Sequence, residues 1–105
     1  MSDSSDWNIT AKELKQKLGQ VKLLDVREPE ENAECKIANS ILIPLGELQS
    51  RAAEELNPQD EIVVYCAHGI RSVQGLMALR MLGYENTKSL EGGIAAWQEE
   101  GFSTC

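Results

Sequence analysis

Residues 62–72 read IVVYCAHGIRS and bring a thiol, an imidazole and a guanidinium into one short segment. An apolar, mostly β-branched run ends at Tyr65 and Cys66; His68, Gly69 and Arg71 follow, and Ser72 opens a stretch with helical patterning. Such a pattern places Cys66 where a buried strand gives way to a loop leading into a helix N-terminus. Unpaired amides and the helix dipole favour negative charge there, and a thiol so placed loses its proton more readily. A fall of about two units from a free-thiol pKa of about 8.5 would raise the thiolate fraction at neutral pH from about 3% to about three quarters. The chemistry this segment could perform is therefore that of a nucleophilic sulfur.

The elements that must position this thiol fit one domain. The chain has 105 residues, 42% hydrophobic and 26% charged, which is ordinary globular composition and enough for a core. A formal net charge of −7 argues against nucleic acid or an anionic membrane as partner, so any anion site must be made locally from amides and a few arginines. No apolar run approaches membrane-spanning length, and residues 1–6 (MSDSSD) are acidic and polar, unlike a signal peptide. They are expected to be a flexible N-terminal tail on a domain spanning residues 7–105, in a cytoplasmic, reducing setting. Cys35, Cys66 and Cys105 are odd in number and form no CxxC, which speaks against a disulfide framework. Cys35 and Cys105 are read as unpaired surface or near-surface thiols, with a flexible resolving role open to Cys105.

Along the chain, residues 7–9 can form a short edge strand, and Thr10 with Glu13 has capping-box spacing for a helix over 11–18. Ala11, Leu14 and Leu18 share one helical face, and Gly19 suits the position after its end. Residues 21–26 read as a strand, 30–35 as a short helical turn with a solvated acidic face, and 40–43 as a strand stopped by Pro44. A helix over 46–56 carries Leu48, Ala52 and Leu56 and ends at Asn57–Pro58. Residues 62–65, apolar on both faces, suit a central parallel strand. A helix over 72–82 closes at Gly83; Gly75 inside it costs about 1 kcal/mol relative to alanine and so points to close backbone packing. Residues 87–90 form a last strand, Gly92–Gly93 a tight turn, and 94–100 a final helix capped by Gly101. Strands alternating with helices over short connections predict an α/β domain with a mostly parallel sheet and helices on both faces. Sites in such sheets form at the carboxyl ends of the strands, where Cys66 and residues 25–27 fall.

Four motifs then stand in order: LLDVREPEE at 23–31, IPL at 43–45, VVYCAHGIRS at 63–72 and LEGGIAAW at 90–97. On these residues the chain resembles a single-domain rhodanese, of the thiosulfate sulfurtransferase-like family, over nearly its full length. The resemblance implies a rhodanese-like α/β fold, a small five-stranded mostly parallel sheet with helices on both faces, whose cysteine loop wraps its amides around the sulfur. It implies a reaction in which the outer sulfur of thiosulfate or another donor passes to the cysteine, and the persulfide passes it on to cyanide or a thiol. Cys66 would be the catalytic nucleophile, and no cofactor is implied. The implied partners are a small anionic sulfur donor and a thiol or cyanide acceptor, and the resemblance also allows a protein that gives or takes sulfur. One departure lies at residues 35–40 (CKIANS), where the family often has Gly-His-Ile-x-Gly-Ala. Asn39 tolerates the left-handed conformation that a glycine would supply there.

Against that background, the amides of Ala67, His68, Gly69, Ile70, Arg71 and Ser72 are the expected cradle for thiolate and leaving group, with Gly69 permitting a positive φ. Arg71 has two roles open to it, binding an anionic donor or pairing with a carboxylate that braces the loop. Arg27 resembles the family's arginine after the Asp-Val pair, which favours bracing or a contact at the pocket rim. Asp25 reads as structural, because an acid beside the thiolate would raise the thiol pKa. His68, the single histidine, reads as a side chain shaping the pocket mouth, with general acid/base catalysis as its alternative. Cys66 and His68 lack the further ligands a metal site needs, and Trp97 reads as core. Two other functions compete. One is a non-catalytic persulfide carrier or regulatory module; the other is a phosphatase or arsenate reductase on a related fold. The latter enzymes have a cysteine-to-arginine loop one residue longer, and the four residues between Cys66 and Arg71 favour sulfur.

Overall fold

Thr10 and Glu13 start the first helix as their spacing predicts: the Thr10 hydroxyl accepts from the Glu13 amide at 3.1 Å, and the Glu13 carboxylate accepts from the Thr10 amide at 2.9 Å. The computed structural model describes residues 7–104; residues 1–6, expected as a tail, and Cys105 lie outside the described residues. In chain order the elements are β1 (Asn8–Ile9), α1 (Ala11–Lys17), β2 (Lys22–Asp25), α2 (Pro29–Glu34), β3 (Ile41–Leu42), α3 (Leu48–Glu55), β4 (Ile62–Tyr65), α4 (Arg71–Met81), β5 (Thr87–Leu90) and α5 (Gly93–Glu99). A short 3-10 turn, Leu45–Glu47, leads into α3, where the periodicity suggests continuous helix from residue 46.

The five strands form one sheet in the order β1-β5-β4-β2-β3, and every pairing is parallel. β4 lies at its centre, buried at all four positions, which is why its side chains are apolar on both faces. Alternate residues of this strand serve opposite faces. Ile62, Val64 and Cys66 belong to the core that includes Leu48 and Ala52 of α3 and Leu79 of α4. Val63 and Tyr65 belong to the other, with Leu14 of α1, Leu90 and Trp97 of α5. Cys66 thus continues the β4 alternation toward the α4 side of the sheet. Gly75 permits the close approach of α4, since a Cβ there would lie 3.2 Å from Val64 Cγ1. No helix among the described residues is long and apolar enough to cross a membrane.

Two further details depart from expectation. Leu18 does not join the buried face of α1; it is the residue at which the helix unwinds and is 38% exposed. Cys35 is disulfide-bonded rather than an unpaired thiol, which leaves Cys66 as the free cysteine among the described residues. Segment 35–40, where the family pattern is broken, is held in place. Asn39 takes φ +68°, in the left-handed region. The Tyr65 hydroxyl accepts from the Ile37 amide at 3.1 Å and bonds the Ser40 hydroxyl at 3.0 Å.

Candidate active site

Cys66 emerges from the carboxyl end of β4, and the loop after it is shaped from outside by the start of α5. The Cys66 carbonyl accepts from the Ile94 amide at 2.9 Å, and the Ala67 carbonyl from the Ala95 amide at 3.2 Å. With these carbonyls bonded outward, the Gly69 and Ser72 amides are directed at the sulfur. The approach leaves no room for side chains. A Cβ on Gly93 would lie 2.4 Å from the Cys66 carbonyl oxygen and 2.5 Å from that of Ala67, and Gly93 has φ +64°. Gly69, at φ +94°, turns the loop against the same segment, where an added Cβ would sit 3.0 Å from the Gly92 nitrogen. The Gly92–Gly93 pair, read from sequence only as a tight turn, is therefore the clamp on the cysteine loop.

Inside the loop, Cys66 Sγ accepts from the Gly69 amide at 3.1 Å and from the Ser72 amide, in the first turn of α4, at 3.2 Å. Burial pushes the thiol pKa up. The Ser72 hydroxyl and the amides of Ser72, Gly69 and His68 outweigh it, so the thiol lies below its ordinary value. The Ser72 hydroxyl in turn lies 2.7 Å from the buried Ser89 hydroxyl on β5. Ser89 had no signal in the sequence beyond its place beside the LEGG motif. Of the remaining loop residues, His68 is exposed and Ile70 is carried outward to 72% exposure at the mouth.

Both arginines are engaged by carboxylates. Arg71 donates from Nη1 and Nη2 to the two oxygens of Glu31 at 2.8 and 2.9 Å. Of the roles open to it, this is the bracing arrangement, and it ties the cysteine loop to α2. Glu31 is consequently not part of a solvated acidic face: the Arg71 guanidinium holds its carboxyl down to about 2, despite a raising contribution from burial. Arg27 is buried and donates from Nε and Nη2 to Asp25 at 3.0 and 2.9 Å, with Nη2 also reaching the Cys35 carbonyl at 2.6 Å. Its guanidinium lies 5.5 Å from the centre of the Tyr65 ring. The Arg27 amide and Asn32 complete the shell of Asp25, giving that residue the structural place its sequence context suggests. Among the described residues no cluster of His, Cys, Asp and Glu could hold a metal ion.

The chain is similar to known proteins. A family model described as the rhodanese-like domain matches residues 10–100. A sulfurtransferase of Allochromatium vinosum is 36% identical over 81 residues, covering 77% of this chain and 75% of its own. The human thiosulfate:glutathione sulfurtransferase is 32% identical, over 78% of this chain and 83% of its own. Other curated relatives are longer, the chain spanning 24% of one and 52% of another. Among solved structures, a rhodanese-related protein from Thermoplasma volcanium superposes with a TM-score of 0.88 at 39% identity, over 94% of this chain and 97% of that one. An all-parallel five-stranded sheet with a cysteine loop at the end of its central strand, together with a match over residues 10–100, leads to one conclusion: the chain belongs to the rhodanese-like domain family.

Proposed function

We propose that the protein is a sulfurtransferase that takes sulfane sulfur from thiosulfate or a similar donor onto Cys66 and passes it to a thiol or cyanide. The observation that carries this reading is the pair of amides, Gly69 and Ser72, directed at Cys66 Sγ from 3.1 and 3.2 Å. Donors fixed by the backbone stabilise a thiolate without needing to reorganise when charge arrives. In the first half-reaction the Cys66 thiolate attacks the outer sulfur of thiosulfate. The S–S bond of the donor breaks, its electron pair leaves with sulfite, and Cys66 carries a persulfide anion. In the second, cyanide or a thiolate attacks the outer sulfur of that persulfide, and the Cys66 thiolate is regenerated. The amides of Ala67, Ile70 and Arg71 are the further donors assigned to the added sulfur. Arg71, Glu31, Arg27 and Asp25 keep the loop and its supporting strand ends in register.

Two features support sulfur over a phosphate ester. Four residues separate Cys66 from Arg71, and the guanidinium that a phosphatase would turn to its oxyanion is bonded to Glu31. The experiment is mass spectrometry after thiosulfate treatment, paired with a thiocyanate assay. One added sulfur on Cys66, absent in Cys66→Ser, and repeated turnovers to thiocyanate are the expected results. A single stoichiometric transfer without turnover would make the protein a carrier, and aryl phosphate hydrolysis without any persulfide would overturn the reading.

A further inference from the structure

The charge arrangement at the mouth of the cysteine loop bears on which donor the site accepts. The two arginines that an anionic donor would seek are each matched by a carboxylate in a two-point contact: Arg71 by Glu31 and Arg27 by Asp25. Each pair sums to zero charge, and Arg27 is buried besides. Glu28 lies within electrostatic range of Arg71 and adds negative charge to the same region. The chain as a whole carries −7. Thiosulfate arrives as a dianion and leaves as a dianion, sulfite, so it meets a like-charged protein twice without a free guanidinium to hold it. An apolar residue, Ile70, stands 72% exposed at the mouth.

We propose that the Glu31–Arg71 pair makes the site selective against dianionic donors, so that a persulfide carried on an organic thiol is the preferred sulfur donor and thiosulfate a slower one. This rests on the sulfurtransferase reading above and narrows its donor class. The step balances without a further reagent. The Cys66 thiolate attacks the outer sulfur of R–S–SH and the donor S–S bond breaks. Its electron pair goes to the inner sulfur, which takes the proton of the outer one. The products are R–SH and the Cys66 persulfide anion. No dianion enters or leaves, and the organic stem of the donor meets Ile70.

The test measures the second-order rate constant for adding one sulfur to Cys66, read by mass spectrometry on the full chain, with thiosulfate and with cysteine persulfide as donors. Cysteine persulfide is expected to react at least about tenfold faster. The thiosulfate constant should rise as ionic strength is increased, because salt screens repulsion between like charges. Glu31→Gln, which releases Arg71, should raise the thiosulfate-to-persulfide ratio by about tenfold, the value of one charge-assisted contact. Equal constants for the two donors, or a thiosulfate constant that falls with salt, would overturn the proposal while leaving sulfur transfer intact. The salt series uses the unaltered protein, so it decides the matter even if Glu31→Gln fails to fold. No added sulfur on Cys66 from either donor would instead remove the sulfurtransferase reading itself.

Discussion

Gly93→Ala is the substitution that probes the site most directly, because it leaves every side chain around the sulfur unchanged. The new Cβ would have to lie 2.4 Å from the Cys66 carbonyl oxygen and 2.5 Å from that of Ala67. Three costs follow. A non-glycine residue at φ +64° costs about 1–2 kcal/mol. Overpacking against backbone that cannot rotate away costs about 1–3 kcal/mol. If α5 backs off, the Ile94 and Ala95 amides lose their carbonyl partners, at about 1 kcal/mol each. The first cost with either of the other two, which are alternatives, comes to about 2–5 kcal/mol, a large share of the about 5–15 kcal/mol that stabilises a typical domain. Urea unfolding followed by circular dichroism should show the loss. The pH dependence of iodoacetamide alkylation should show the Cys66 thiol moving up, as the carbonyls released from α5 let the loop amides turn from the sulfur. Gly101→Ala is the control: φ is +82° there but nothing lies within 4 Å of the added Cβ, so only the conformational cost of about 1–2 kcal/mol remains. Equal losses in the two variants, or an unshifted thiol in Gly93→Ala, would refute the clamp.

Three further outcomes are expected. Ser72→Ala removes the hydroxyl that faces Cys66 and strands the buried Ser89 hydroxyl. The thiol pKa should rise, because a hydrogen bond that favours the thiolate is lost, and stability should fall by about 1–3 kcal/mol, read from alkylation profiles and urea midpoints respectively. Glu31, held down to about 2 from an ordinary 4.5, contributes stability that is fully present above pH 4.5 and is lost as pH falls toward 2. The pair is about one-third exposed, so solvent screening limits the amount to roughly 1 kcal/mol. Carbon-detected NMR titration should place the Glu31 carboxyl near 2 in the unaltered chain and nearer 4.5 in Arg71→Ala. Cys66→Ser should abolish thiocyanate formation because serine cannot form a persulfide, and surviving activity would remove Cys66 as the nucleophile.

Local chemistry in the sequence determined the elements and the position of the thiol. The Thr10–Glu13 spacing marks a capping box, the apolar run at 62–65 a central strand, and Gly69 a turn of positive φ, and each is found where its own residues put it. These are decided by bonds and sterics within a few residues, which is why periodicity and spacing read them. The surroundings of Cys66 are another matter. Glu31 meets Arg71 across 40 positions of chain, Ser89 meets Ser72 across 17, and Ile94 reaches the Cys66 carbonyl from α5. Each contact exists because β4 lies between β5 and β2, so that the loops after these three strands converge at one end of the sheet. Strand order is set by which faces bury best together, a property of the whole core rather than of any segment. Glu31 therefore reads locally as a solvated acid and Gly93 as an ordinary turn residue. Only the tertiary structure makes the first a brace and the second a clamp.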